Sequence, residues 1–497
     1  MQVKQSIFRD YDIRGIAGVK FEPEMIAEYE KWYGPFPGIT IDLPIAEAIG
    51  KAYGTYISRQ GGKKVIVGYE WRPFADELKA AFLKGILSTG VNVDDAGKTA
   101  TPFIYFMTAH KNYDGGVNIT GSHNVYFYNG FKMMGKNTYP VYGDELQKLF
   151  KMIITEDFVK GETPGVVENI SGTYEVYRDF VASKTKLKRK LKVAIDCGNG
   201  TPGLYVKDFM ETLGADMVAG LYLEPDAYFP NHVPDPESPS NMADLQKAVI
   251  ESSADIGIGF DADGDRAGFI DEKGNFLFAD EILLLLARDI ASRHQGKKIL
   301  FDVKCTQLLE EMIPTWGCTP VMYRTGHAPI KAIMRDDSDI ALCGEVSGHF
   351  YFVENYVRAD DGLFAAAQVL RILSEQDKPM SELMNFIPRR IRTPEIKLPC
   401  KDEVKFEVID KVKKQFEGKY DVITIDGARV MFTDKSWGLV RASNTSPYLT
   451  VRFEAETAEE VIKSKNIFAD ILDPIEEIGD KLDRKNVISK TGRLGYL

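Results

Sequence analysis

The sequence contains a dense acidic cluster in which Asp261, Asp263 and Asp265 occupy alternate positions and Arg266 follows directly. Carboxylates this close together repel one another unless a cation balances their charge. Carboxylate oxygens are preferred ligands of Mg²⁺, which proteins commonly bind together with a substrate phosphate. The cluster therefore predicts a magnesium site that takes part in phosphoryl chemistry.

A calcium site of the EF-hand type is an alternative for this loop, because Glu272 follows the aspartates at the spacing of such a site. Arg266, however, stands where an EF-hand loop needs glycine for its sharp turn. The flanking residues also favour a strand at 256–260 and a hairpin over 267–278 rather than two helices. Magnesium is therefore the favoured interpretation, with calcium or a solvent-exposed acidic loop as alternatives.

Ser122 lies between Gly121 and His123 in a sequence typical of a turn, where a side chain can project into a cleft. A loop serine is most often a turn or capping residue, and no Gly-x-Ser-x-Gly pattern surrounds Ser122. A phosphorylated serine would supply ~1.5 to 2 negative charges and three acceptor oxygens. The phosphate would therefore give a cation bound by the aspartates a further anionic ligand.

A polar loop near the C-terminus combines a guanidinium, two hydroxyls and an amide, contributed by Arg441, Ser443, Thr445 and Asn444. Arginine binds phosphate through two parallel hydrogen bonds, and hydroxyl donors can complete the shell. An ordinary turn that ends at Pro447 explains the local sequence equally well.

A second, glycine-bounded loop places Glu345, Ser347 and His349 at alternate positions, which suits hydrogen bonding to neighbouring hydroxyls of a sugar. Lys304 and His327 each follow a predicted strand of the same segment. Either could move a hydroxyl proton, because histidine titrates near neutrality and a desolvated lysine can be tuned toward it.

The composition limits the class of protein. A chain of 497 residues exceeds the ~250–300 at which single cores stop growing, so several domains are expected. The net charge of −11 disfavours a nucleic-acid partner. The longest apolar stretch, 282–287, is far shorter than the ~20 residues of a membrane span, and no signal-peptide region is apparent. We therefore expect a cytoplasmic protein without membrane association.

Three segments repeat the same succession of strand and helix patterns, which indicates parallel α/β units. Their first strands are predicted at 64–68, 192–196 and 298–302. Polar loops follow the third strand of each unit, at 120–124, 261–266 and 344–349. Because ligands of open α/β sheets bind outside the carboxyl ends of the strands, we expect these loops to meet in one cleft.

The residues from about 394 onward break this pattern and predict antiparallel hairpins with a terminal helix. A strand at 422–425 precedes an Asp-Gly turn and a returning strand at 430–432. The terminal helix is predicted to begin at Thr457, with Glu460 completing a capping box.

These patterns predict an α/β fold with three similar α/β domains with mixed sheets plus a fourth α+β domain with an antiparallel sheet, arranged around a central cleft. The predicted domains are 1–172 with the serine loop, 173–278 with the acidic loop, 279–393 with the sugar-binding loop and 394–497 with the phosphate-binding loop.

Together the loops resemble the α-D-phosphohexomutase superfamily, and most closely its bacterial phosphomannomutase/phosphoglucomutase branch. The resemblance covers nearly the whole chain and includes the segments 8–15, 129–132, 196–200, 229–236, 302–305 and 360–362. Val125 and Glu70 depart from the usual proline and aspartate of the family. The stretch 19–44 looks longer than is usual in the family and has no assigned role.

The resemblance implies a role for each loop. Ser122 would be the phosphorylated serine and, with Asp261, Asp263 and Asp265, would bind Mg²⁺. The residues implied in catalysis are Ser122, Lys304, His327, Arg266, Arg14, Tyr11, Lys132 and His123, with Lys304 and His327 as proton-transfer partners. Sugar recognition would fall to Glu345, Ser347 and His349, and binding of the non-reacting phosphate to Arg441, Ser443, Asn444 and Thr445.

The implied activity is the interconversion of the 1- and 6-phosphates of mannose or glucose through a phosphoserine enzyme and a 1,6-bisphosphate intermediate. Mg²⁺ would be the cofactor, hexose 1,6-bisphosphate the activator, and small sugar phosphates the ligands of a monomer or small homo-oligomer. Val346 stands where the glucosamine branch usually has glutamine, yet a phosphoglucosamine mutase stays an alternative. The other alternative functions are a non-catalytic sugar-phosphate sensor and a metal-dependent phosphatase.

Overall fold

The computed structural model of the protein describes residues 3–18, 21–33, 35–444, 447–476, 478, 482 and 484–485. Four successive segments of the chain each form one β-sheet. The first three sheets combine parallel and antiparallel pairs, whereas the fourth is antiparallel throughout, which confirms the predicted fold class. None of the helices in the described part of the chain has the length and apolar character that crossing a bilayer requires.

The first segment forms a six-stranded sheet in the order β1-β5-β4-β2-β3-β6. Its elements are β1 (Ile13–Ile16), α1 (Pro23–Tyr33), α2 (Leu43–Arg59), β2 (Lys64–Tyr69), α3 (Ala75–Leu87), β3 (Asn92–Lys98), α4 (Thr101–His110), β4 (Gly115–Ile119), β5 (Tyr128–Gly135), α5 (Asp144–Thr155) and β6 (Val167–Asn169). Every residue of β4 is buried, and this strand ends directly before the serine loop.

The second segment forms a five-stranded sheet in the order β11-β10-β9-β7-β8. Its elements are α6 (Thr173–Lys184), β7 (Lys192–Asp196), α7 (Val206–Leu213), β8 (Asp216–Leu221), α8 (Ala243–Ser252), β9 (Ile256–Phe260), β10 (Ala267–Asp271) and β11 (Phe276–Leu277). Phe260 pairs with Ala267, so the acidic loop connects two antiparallel strands. Phe269 pairs with Leu277, which confirms the hairpin predicted over 267–278.

The third segment forms a four-stranded sheet in the order β13-β12-β14-β15. Its elements are α9 (Ala279–Ala291), β12 (Lys298–Asp302), α10 (Leu308–Met312), β13 (Thr319–Tyr323), α11 (His327–Asp336), β14 (Ile340–Gly344), β15 (Phe350–Phe352), α12 (Gly362–Ser374) and α13 (Met380–Leu383). The apolar run of α9 packs in a core that extends from the first segment to the third, so these segments form one continuous scaffold.

The fourth segment forms an antiparallel sheet in the order β16-β21-β20-β19-β18, with β17 also paired to β21. Its elements are β16 (Ile391–Arg392), β17 (Ile396–Pro399), α14 (Lys405–Phe416), β18 (Asp421–Ile423), β19 (Ala428–Thr433), β20 (Ser436–Ala442), β21 (Tyr448–Ala455) and α15 (Ala458–Leu472). Thr457 and Glu460 form the predicted capping box of α15. Arg441 lies near the end of β20, and the polar loop that follows it connects β20 to β21. Arg441 and this loop are together called the Arg441 loop below.

Candidate active site

One cleft, with about 840 Å³ of empty space, is lined by residues of all four segments. The predicted site residues that line it are Tyr11, Arg14, Ser122, His123, Lys132, Arg266, Lys304, His327, Glu345, Ser347, His349, Arg441, Ser443 and Asn444. The three aspartates of the acidic loop are fully buried beside Lys132. Thr445 lies outside the described residues.

The serine loop is held in an unusual backbone conformation. Ser122 has a φ of 52°, in the left-handed region that residues other than glycine seldom adopt. The Arg72 guanidinium stabilises this turn by donating to the carbonyl oxygens of Ser122, at 2.6 Å, and Val125, at 2.7 Å. Glu70 contacts Arg72 and accepts a hydrogen bond from the Gly121 amide at 2.5 Å. The Ser122 side chain is thereby directed toward the acidic loop.

The Ser122 hydroxyl faces the acidic loop across the boundary between the first two segments. Its Oγ lies 3.5 Å from Asp261 Oδ2 and 3.3 Å from His123 Nδ1. The His123 ring is neutral near pH 7, because burial and the cations Arg266 and Lys397 hold its pKa well below the ordinary value. His123 therefore adds no positive charge next to the hydroxyl.

The acidic loop has the donor set of a site for a hard divalent cation. Asp261, Asp263 and Asp265 are fully buried, and they offer ligand oxygens within 4.8 Å of one another. Asp263 Oδ1 has no hydrogen-bond partner. Burial and the neighbouring carboxylates raise the pKa of Asp261 well above its usual range, an effect that a bound cation would oppose. These residues therefore fit Mg²⁺.

A chain of hydrogen bonds connects the acidic loop to the predicted sugar loop. His349 Nε2 lies 3.3 Å from Asp265 Oδ1, and His349 Nδ1 lies 3.0 Å from Glu345 Oε2. Burial alone would raise the pKa of Glu345, but hydrogen bonds from His349 and from the Tyr351 hydroxyl outweigh it and lower the pKa to about 2. Glu345 is therefore ionised. Tyr351, which the sequence did not single out, donates to it at 2.6 Å.

The two predicted proton-transfer residues differ in their charge. Burial and the neighbouring Lys331 and Lys132 hold the pKa of His327 well below its usual value, so this ring is a neutral acceptor. Burial also opposes the charge of Lys304, but the carboxylates of Glu395 and Asp302 outweigh it and raise the pKa of Lys304. Of these two residues, His327 is thus the one that can accept a proton at neutral pH.

The Arg441 loop reaches the first segment. Arg441 Nε donates to Asp426 at 3.0 Å, and its Nη2 is buried without a partner. Asn444 Nδ2 donates to the Tyr11 hydroxyl at 2.5 Å. Tyr11 in turn donates to the backbone oxygen of Thr325. Tyr11 therefore joins the fourth segment to the start of α11.

Several residues that line the cleft were missed in the sequence, among them Asp12, Asn124, Glu237, Glu395, Lys397, Tyr448 and Thr450. Burial and the nearby Glu395 raise the pKa of Glu237 to about 7. Glu395 and Lys397 have the two-residue spacing of side chains on one face of a strand, and this spacing is the one signal that could have indicated them. Glu237 lies in a loop without any such pattern.

Four family models match successive parts of the chain. They describe phosphoglucomutase/phosphomannomutase α/β/α domain I at residues 5–160, domain II at 175–274, domain III at 278–390 and the C-terminal domain at 395–471.

The relatives agree with this match. A phosphomannomutase/phosphoglucomutase of Pseudomonas putida is 38% identical over 464 residues, which cover 93% of this chain and 94% of the relative. A phosphoglucomutase of Neisseria meningitidis is 38% identical over 477 residues, covering 95% and 97%. The crystal structure of a family protein from Burkholderia thailandensis superposes with a TM-score of 0.84 at 35% identity, covering 95% of this chain and 98% of that chain. The chain therefore belongs to the phosphoglucomutase/phosphomannomutase family of enzymes.

Proposed function

We propose that the protein is a mutase that interconverts the 1- and 6-phosphates of mannose or glucose through a phosphorylated Ser122. The observation that carries this proposal is the approach of Ser122 Oγ to within 3.5 Å of Asp261 in a cleft that also contains the Arg441 loop. One wall thus offers a nucleophile beside a cation site, and another offers a guanidinium. A ligand with two phosphoryl positions suits both.

In the first half-reaction, the hydroxyl oxygen at C6 of a hexose 1-phosphate attacks the phosphorus on Ser122. The bond between phosphorus and Ser122 Oγ breaks, a bond to O6 forms, and the proton of the O6 hydroxyl is released. The O6 proton passes to the neutral His327 ring and from there, through solvent in the cleft, to Ser122 Oγ, which becomes a hydroxyl. Protonated Lys304 contributes positive charge to the same cleft, where phosphoryl transfer depends on positioning and electrostatic stabilisation.

Asp261, Asp263, Asp265 and the phosphate on Ser122 would hold the metal ion. Bound Mg²⁺ supplies charge neutralisation for the phosphoryl oxygens. Lys132 already balances part of the aspartate charge, since its ammonium donates to Asp263 at 2.8 Å and contacts Asp265.

Two loops hold the rest of the substrate in this proposal. Glu345, Ser347 and His349 bind sugar hydroxyls, while Arg441, Ser443, Asn444 and Thr445 bind the phosphate that does not react. The 1,6-bisphosphate then turns end for end and returns its other phosphate to Ser122. Arg14, Tyr11, His123 and Arg266 complete the lining of the cleft.

Free hexose 1,6-bisphosphate would act as the activator, because its phosphate can restore the phosphorylated form of Ser122.

The four functional units that we propose have the boundaries 1–172, 173–278, 279–393 and 394–497. In this arrangement each unit contributes one of the loops around the cleft.

The test of this function compares Ser122→Ala with the wild type. Intact-mass spectrometry before and after phosphatase treatment is expected to show one phosphate on the wild type and none on S122A. Mutase activity with mannose 1-phosphate or glucose 1-phosphate should fall by roughly 10³-fold or more, as when other nucleophiles are removed. The exposed Ser183→Ala is the control. Activity of S122A near that of the wild type would refute the proposal. Faster turnover of glucosamine 1-phosphate than of mannose 1-phosphate or glucose 1-phosphate would show that the substrate is the amino sugar.

A further inference from the structure

Lys397 differs from the other cations that line the cleft. The other five, Arg14, Lys132, Arg266, Lys304 and Arg441, each form an ion pair with a carboxylate. Among the described residues, no carboxylate lies within 4.0 Å of the Lys397 ammonium group. Lys397 is therefore the cleft cation whose charge is most available to an anionic ligand.

The position of Lys397 directs this charge toward the serine loop. Lys397 belongs to β17 of the fourth segment, yet it lines the cleft together with Ser122 and His123 of the first segment. Its ammonium lies 5.6 Å from the centre of the Tyr448 ring. Tyr448, Asp235 and Glu237 raise the pKa of Lys397, so the ammonium keeps its proton at neutral pH.

Lys397 also lines a second space, here named the aromatic chamber, whose walls include Tyr29, Phe127, Tyr228 and Phe229. The chamber has about 1790 Å³ of empty space and adjoins the cleft, because Lys397 and Tyr448 line both. Tyr29 comes from α1, in the stretch 19–44 that had no assigned role. The chamber thus offers more room than the cleft.

A bisphosphate that turns end for end needs room and an attraction that does not fix its orientation. The guanidinium groups of Arg14, Arg266 and Arg441 are planar donors that favour fixed geometries. A lysine ammonium is a compact charge on a flexible stem with three donors, so a phosphate can rotate while it stays bound. Aromatic faces next to it can pack against the apolar face of a sugar ring.

We propose that Lys397 and the aromatic chamber form a transit site that retains the hexose bisphosphate while it turns between the two phosphoryl transfers. This inference rests on the proposed mutase function. One phosphate stays on Lys397 while the sugar ring and the other phosphate swing through the chamber. The intermediate then re-enters the cleft in the opposite orientation without escaping to solvent.

The test is a single turnover of enzyme that carries ³²P on Ser122, mixed with excess mannose 1-phosphate and an unlabelled mannose 1,6-bisphosphate trap. Label that completes the turn appears in mannose 6-phosphate, whereas label that escapes appears in free bisphosphate. Lys397→Met should raise the ratio of labelled bisphosphate to labelled mannose 6-phosphate by roughly tenfold, which corresponds to about 1.4 kcal/mol. Lys401→Met removes the same charge from an exposed position nearby and should leave the ratio unchanged.

The outcomes separate the two proposals. Label that never leaves Ser122 of the wild type would overturn both the mutase function and the transit site. Transfer of label with the same ratio in wild type and K397M would overturn the transit site alone. Lys397→Arg keeps the charge and should release less bisphosphate than K397M, and equal release from the two variants would contradict retention by charge.

Discussion

Lys132 provides the positive charge that contacts Asp263 and Asp265. Its side chain is 3% exposed. Lys132→Gln leaves these buried aspartates without their partner, a change that typically costs about 3–5 kcal/mol. We therefore expect K132Q to unfold at a lower temperature than the wild type when EDTA is present.

Magnesium should restore part of this lost stability, because a divalent cation at the aspartates replaces the missing charge. Thermal unfolding with EDTA and with millimolar MgCl₂ is expected to show a larger magnesium-dependent rise in Tm for K132Q than for the wild type. Exposed Lys136→Gln serves as the control and should behave like the wild type. An equal rise in K132Q and wild type would argue against metal binding at the aspartates.

Glu237 should make substrate binding depend on pH. Burial and Glu395 raise the pKa of this carboxyl to about 7, so it is neutral below that pH and negative above it. The charged groups that face it are Glu395, Lys304, Asp235, Lys397 and Arg266. An ionised Glu237 competes with the substrate phosphate for Lys304, Lys397 and Arg266. The KM for substrate should therefore rise several-fold as pH increases through about 7.

The variant Glu237→Gln cannot ionise and is expected to remove most of this increase in KM. Steady-state kinetics at pH values on both sides of about 7 will measure the KM of each enzyme. All enzymes are given the same substrate, so that ionisation of the substrate phosphate affects each of them equally. Exposed Glu224→Gln is the matched control and should keep the wild-type profile. Identical profiles of E237Q and wild type would show that Glu237 does not face the bound phosphate.

The same residue shows where prediction from sequence ends. Ser122, the aspartates and the Arg441 loop could be indicated because polar or acidic residues cluster there after predicted strands. Glu237 and Lys397 are single charged residues of kinds that normally lie on the surface. Their place in the cleft depends on how a long loop and β17 approach the other segments, and no local pattern encodes that approach.

The connection between β13 and α11 depends on Gly326. Its φ is 131°, and a Cβ atom at this position would lie 2.3 Å from the Tyr11 ring. The Gly326 amide also donates to Glu345 Oε1 at 2.7 Å. Gly326→Ala should therefore displace Tyr11, break its hydrogen bond with Asn444 and lower kcat/KM by roughly tenfold or more.

The matched control for this element is Gly135→Ala, at the end of β5. A Cβ atom at Gly135 would have its nearest neighbour at 3.6 Å, an ordinary contact distance, so we expect wild-type kinetics. Circular dichroism spectra should be alike for both variants and the wild type. Unchanged kcat/KM in G326A would mean that Tyr11 has no part in substrate binding.

Elements with strong local signals were predictable. The strand before the acidic loop, the hairpin after it and the capping box at Thr457 follow from residue patterns within a few positions. The order of strands within each sheet was not predicted, since pairs such as β17 with β21 join residues far apart in sequence. Helix α1 likewise had no predicted role, because its contribution to the chamber depends on aromatic residues from other segments.

The arrangement of the whole molecule depends on buried arginines that join the fourth segment to the third. Arg429 Nη1 donates to the backbone oxygens of Val303, at 2.6 Å, and Cys305, at 2.8 Å, on either side of Lys304. Arg452 Nη1 donates to the backbone oxygen of Lys304 itself at 2.6 Å. The fourth segment therefore supplies the Arg441 loop and also fixes the loop that carries Lys304.

Arg429→Met tests this coupling, because it leaves two buried carbonyl oxygens unpaired at about 1–3 kcal/mol each and frees the Lys304 loop. We expect a lower Tm together with a fall in kcat/KM of roughly tenfold, measured by thermal unfolding and by mutase kinetics. Arg484→Met removes surface ion pairs with Asp470 and Asp473 in the same segment and should change both quantities little. A lower Tm with unchanged kcat/KM would mean that Arg429 stabilises the fold without positioning Lys304, since catalysis would then be independent of this contact between segments.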